Sequence, residues 1–116
     1  MMSTLSIITH PVYFEHDTGF GHPERPDRLA AILDKINMSP LLKKSEMIEP
    51  QKAGDDDIFA VHSENYYQHV STAIRNGEKI LDSGDTIVSE KSFDAALYAA
   101  GAMLEGIELL NHDRSN

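Results

Sequence analysis

The chain has 116 residues, 41% hydrophobic and 25% charged, which fits one globular domain over residues 1–116 and excludes disorder of the whole chain. Nineteen acids against ten bases leave a formal charge of −9, and no basic run exceeds Lys43-Lys44, which argues against a phosphate-binding surface and so against nucleic acid. The absence of cysteine excludes disulfides and thiolate metal sites.

The opening "MMSTLSIITHPVYF" has no basic n-region and no long apolar core. Neither a signal peptide nor a membrane span is expected there, and the expected compartment is the cytoplasm. Within it "TLSIITH" is short, apolar and partly β-branched, and reads as a buried strand. "HPVYFEHDTGFGHPERP" cannot be regular: Pro11, Pro23 and Pro26 remove backbone donors, and Gly19 and Gly21 permit positive φ. It is a long loop leaving a strand, a place where function often sits.

Asp27 is then an N-cap or a first-turn acid of a helix with Leu29, Ile32, Leu33 and Ile36 on one stripe, ended by "NMSP". "LLKKS" suggests a further helical turn and "EMIEP" a strand. "GDDDIFAVHS" reads as a short helix begun by acids and running through Ile58 to Val61. "SENYYQHVSTAIRNG" is the next helix, with Ser63 as N-cap and Gly77 as its stop. "EKILDSGDTIVS" is a polar turn region with one extended piece. The last helix, residues 93–110, carries Phe93, Leu97, Ala100, Leu104 and Ile107 on one face. Its small residues, Gly101 among them, would let another backbone approach closely. "DRSN" reads as a polar tail.

Histidine and carboxylate are competent zinc ligands, and His10, His16 and His22 lie in or beside one loop with Glu15, Asp17 and Glu24. Their spacing matches no compact metal signature, so side chains that hydrogen-bond the loop backbone are the favoured reading. The run Asp55 to Asp57 lacks the alternation and terminal glutamate of a calcium loop and reads as a solvated helix start. His62 and His69 are seven apart, two turns along one expected helical face, where a structural role is favoured. Tyr66, Tyr67 and Tyr98 are expected at the core or its rim.

Three blocks carry a resemblance. "VYFEHDTGFGHPERPDRLAAIL" resembles the N-terminal segment of the histone deacetylase family, especially bacterial acetoin-utilisation and class II-like members. "IFAVHSENYYQHV" and "GDTIVSEKSFDAALYAAGAML" resemble its next two blocks, in the same order and at similar intervals. The resemblance implies an α/β fold with a central parallel sheet, shared with arginases. It also implies zinc-dependent hydrolysis of acetylated lysine, polyamine or similar amides, with histidine as general acid and base. The family's zinc is held by an Asp-x-His pair and a later Asp, and tandem histidines flank the water. This sequence contains neither an Asp-x-His nor a His-His pair.

By the resemblance, Arg28 matches the arginine that lines an inner channel below the metal, and Asp85 matches the rim aspartate that holds the substrate backbone. His22, Pro23 and Glu24 match the loop at the pocket wall. In some class II members this loop holds a structural zinc through His and Cys; those cysteines are absent here. Read from the residues alone, Arg28 is equally a helix-start arginine paired with Glu24 or Asp27, and Asp85 a turn-forming acid.

The expected fold is α/β, a minimal three-layer-like fragment with a small parallel sheet of two or three strands and about four helices. The expected function is a noncatalytic, self-associating portion of the deacetylase family, a homo-oligomer with no catalytic residue, no metal and no cofactor of its own. The alternatives are one half of a split deacetylase completed by another chain, or a binding module for a cationic small molecule or peptide. No membrane or nucleic-acid partner is expected.

Overall fold

The computed structural model describes residues 5–82 and 84–115. Strand β1 is Leu5–Ile8 and β2 is Ser45–Ile48; they pair in parallel from Leu5↔Ser45 to Ile8↔Ile48. Thr9 N–H adds one more rung to the Ile48 carbonyl at 2.9 Å. Thr4, at the start of the expected strand, lies outside the described residues. A parallel pair requires a long crossover. Here it carries a 3-10 turn over Pro11–Glu15, helix α1 over Pro26–Asn37 and a second 3-10 turn over Pro40–Lys44. Helices α2 (Asp55–Phe59), α3 (Glu64–Arg75) and α4 (Ser92–Ser115) follow. The mixed α/β class, the small parallel sheet and the four helices are as expected.

Local signals set most boundaries. Pro26 opens α1 at its first turn, where a missing N–H costs nothing, and Asp27 follows it as a first-turn acid rather than the cap. Ser63 caps α3, its hydroxyl accepting from Tyr66 N–H at 3.1 Å. Gly77 ends α3 with φ +83 in a Schellman motif: Glu78 N–H bonds the Ala73 carbonyl and Gly77 N–H that of Ile74. The acids of α2 serve its start. Asp57 accepts from Gly54 N–H at 3.1 Å, and Asp55 accepts from the Tyr67 hydroxyl at 3.1 Å. That carboxylate and burial together raise the Tyr67 pKa, burial contributing most.

Three expectations are corrected. His62 and His69 do not share a helical face, because His62 lies before the Ser63 cap; both rings instead flank Tyr66, at 6.1 and 6.4 Å. The polar tail is helical as far as Ser115, with Asn116 outside the described residues. The expected apolar face of α4 is also split. Phe93 and Leu97 are half-buried, but Leu104 and Ile107 are 40% and 52% exposed. The buried line of α4 is made of small residues, Ser92, Ala95 and Gly101.

The chain between β2 and α2 crosses α4 on that line. Ala53 N–H donates to the Leu97 carbonyl at 3.0 Å, and a Cβ added at Gly101 would sit 1.7 Å from the Gln51 carbonyl oxygen. One turn further on, Gly106 packs near Ile8, with ordinary room for a methyl at 3.5 Å. The molecule is a plate of 50 × 34 × 18 Å with a radius of gyration of 16.5 Å. A compact domain of this length has a radius of roughly 13 Å. Among the described residues no large side chain is fully buried.

The crossing makes a paired prediction. Gly101→Ala should destabilise the chain by about 1–3 kcal/mol, because a rigid backbone carbonyl must move. Gly106→Ala should stabilise it by up to about 1 kcal/mol through helix propensity. Urea unfolding of both variants measures the contrast, and equal effects would show that the crossing is not rigid.

Candidate functional site

The loop between the first 3-10 turn and α1 is held against the segment before α4 by side chains that bond backbone. His22 Nδ1 accepts from Glu24 N–H at 3.0 Å, so its proton lies on Nε2, which donates to the Asp85 carbonyl at 3.1 Å. Ser89 Oγ accepts from Asp17 N–H at 2.9 Å and donates to the Glu15 carbonyl at 3.1 Å. Ser92 Oγ accepts from Ser89 N–H at 2.8 Å and lies 2.6 Å from His16 Nδ1. The Ser89 proton being on Glu15, the Ser92 hydroxyl is the donor to His16, whose Nε2 faces Glu24 Oε2 at 3.9 Å. Thr18, buried, donates to the Glu24 carbonyl.

Within this frame Gly19 and Gly21 take φ +88 and +82, the left-handed region that glycine enters freely. Between them Phe20 points wholly into solvent. His22 therefore does more than decorate the loop: one ring joins its inner turn to the opposite segment. The facing segment is itself a tight turn. Ile80 and Ile87 form an antiparallel bridge, and Asp82 accepts from Gly84 N–H and the Thr86 hydroxyl, each at 2.9 Å. Those bonds, the Gly84 amide first, lower the Asp82 pKa. Asp82 thus organises the turn, and Asp85 contributes its carbonyl to His22.

A groove of about 440 Å³ runs behind the loop, between α1, α3 and the start of α4. Its floor is apolar, from Leu29, Val70, Ile74, Val88 and Phe93, and its polar edge has His16, Glu24, Arg25 and Arg28. Arg28 is exposed and its guanidinium pairs with neither Glu24 nor Asp27 among the described residues. The structure brings Glu24 and Arg28 to one groove and joins His22 to Asp85 at the rim, with Pro23 exposed in the turn between His22 and Glu24.

Two links escaped the sequence reading. Ser89 and Ser92 stand three apart at a helix start, the spacing of a capping box, and that was the available signal. The other is an aromatic stack: His10 lies 3.9 Å from the Tyr98 ring, whose far environment includes Lys52 Nζ at 5.6 Å. The Tyr13 hydroxyl donates to the Tyr98 carbonyl at 2.9 Å, and burial raises the Tyr13 pKa. Lys52 is raised by its 2.9 Å bond to Asp94.

The residues present do not fit zinc. His10 Nδ1 accepts from Val12 N–H at 3.0 Å, and His16 and His22 have their Nδ1 atoms occupied as described. Among the described residues no group of three or more His, Asp or Glu converges on a point.

Residues 22–116 match the sequence model of the histone deacetylase domain. A probable deacetylase of Archaeoglobus fulgidus is 32% identical over 95% of this chain and 31% of its own length. A probable deacetylase of Methanothermobacter thermautotrophicus is 36% identical over 90% of this chain and 31% of its own. Histone deacetylase 8 of Arabidopsis thaliana is 26% identical over 80% of this chain. This chain belongs to the histone deacetylase family, and it spans about a third of the length of these archaeal relatives.

Two outcomes test the loop frame. Ser89→Ala removes an acceptor and a donor at once and should cost about 1–3 kcal/mol in thermal or urea unfolding. His22→Ala should cost about as much as Gly21→Val, whose side chain meets open space but an unfavourable φ, a penalty of roughly 1–2 kcal/mol. The Asp82 turn should respond to acid with a defined sign. Its folded pKa is lowered, so its contribution is full above the ordinary carboxylate value and is lost as pH falls through the lowered one. The Gly84 amide resonance reports this, and Asp82→Ala should abolish the transition.

Proposed function

We propose that these residues form one wall of a deacetylase-type pocket and perform no hydrolysis by themselves. The catalytic metal is then held by polypeptide outside the 116 residues. The observation that carries this reading is where the family match falls: residues 22–116 include the latched rim and the groove edged by Arg28. In this reading His22, Pro23, Glu24 and Asp85 shape the rim, and Arg28, with its guanidinium unpaired, offers a positive charge to the pocket interior.

The plate form supports a second part of the proposal, that another surface closes the open face. Met103, Leu104, Ile107 and Leu110 are 40–69% exposed along α4, and a parallel sheet is normally covered on both faces. The relatives' much greater length favours polypeptide carrying the rest of the fold as the cover. A second copy is the other reading; it joins the same apolar stripe to itself against the repulsion of a −9 charge on each chain.

Purified chain supplied with zinc should show no turnover of an acetyl-lysine amide, since no bound water is activated. Zinc-dependent turnover that a chelator abolishes would overturn the proposal. Light scattering at micromolar concentration separates the two covers. A monomer whose apolar face binds a surface-sensitive dye favours the missing fold, and a dimer dissociated by Leu104→Glu favours self-association.

A further inference from the structure

We propose that the loop over residues 16–24 is an acid-released latch, held in its closed shape only while the His22 imidazole is neutral. The geometry is specific. The ring stands between a backbone donor, Glu24 N–H at 3.0 Å, and a backbone acceptor, the Asp85 carbonyl at 3.1 Å. Only the neutral ring with its proton on Nε2 satisfies both. Protonation puts a hydrogen on Nδ1 directly opposite the Glu24 N–H. Rotating the ring does not help, because the cation is a donor at both nitrogens. One of the two links must therefore break, and the ring leaves either the loop's inner turn or the segment before α4.

The charged groups around the ring do not compensate. Glu24, on the same loop, has its carboxylate near His16 Nε2 at 3.9 Å. Asp85, on the opposite segment, meets the ring through its carbonyl. Among the described residues neither carboxylate forms an ion pair with His22. The same arrangement recurs at the start of the first 3-10 turn, where His10 Nδ1 accepts from Val12 N–H. The segment leaving β1 is thus built on neutral imidazoles used as acceptors for backbone donors. This follows from the loop geometry and is independent of what closes the open face.

Nitrogen-detected NMR of the imidazoles in the whole chain tests it. At about pH 8 His22 should be the Nε2–H tautomer with an unprotonated Nδ1, and at about pH 5 a cation. The amide protection of Asp17 and Glu24, corrected for intrinsic exchange, should fall about tenfold across that change, the factor expected for one lost hydrogen bond. His22→Ala should show the low protection at both pH values. His22→Asn, whose side-chain oxygen can accept from Glu24 N–H without titrating, should keep Glu24 protected with no step. An Nδ1–H tautomer at high pH, constant protection in the wild type, or the same step in His22→Asn would each overturn the proposal.

Discussion

Everything on the sheet side of this molecule depends on one crossing, the passage of Gln51–Ala53 over α4 at Gly101. The carbonyl of Gln51 occupies the space a side chain would need, and the Ala53 amide bonds a carbonyl of the helix it crosses. A contact this close fixes the helix in position and rotation together. It places Gly106 beneath Ile8 of β1, and it sets Ser92, at the start of the same helix, against His16. Sheet and loop are thus registered to each other through one rigid rod.

The loop is held by a different kind of force. Its buried complement is slight, Thr18 and Ser92 being polar, so hydrophobic burial cannot define its shape. Directional bonds from serine, threonine and histidine to backbone do so instead. Each supplies about 0.5–1.5 kcal/mol net, modest alone, but they converge on thirteen or so residues and leave few alternatives. The arrangement keeps the rim stiff while its surface stays polar, and it explains why Phe20 can be carried into solvent without collapsing onto the groove.

How much of this was legible in the sequence follows from how local each signal is. Ser63, Gly77 and Pro26 act within a turn of themselves, and their roles could be read directly. The three family blocks gave the fold class and the rim. What could not be read depends on partners distant in sequence. His22 finds Asp85 sixty-three residues away, and Ser89 finds Asp17 at seventy-two. Asp82 and Asp85 are alike as turn acids, and only the placement of Gly84 and Thr86 distinguishes them. The heptad-like spacing of His62 and His69 misled because a serine cap between them starts a new helix.

The division between a stiff polar rim and a thin apolar body bears on how a pocket wall can be stable at all. At 18 Å in its shortest dimension the plate has one layer of helices on a two-stranded sheet, too thin to enclose large side chains. Its apolar residues therefore stop at a surface: Leu29 and Ile74 at the groove, Met103 and Ile107 along α4. In such a body, losing one close backbone contact cannot be made good by repacking a deep core. Rigidity has to come from the covalent shortness of the Gly101 crossing and from the bonds of the loop. Those are the two places where the sequence uses residues without apolar bulk, glycine, serine, threonine and histidine, and both lie on α4 or in contact with its first turn.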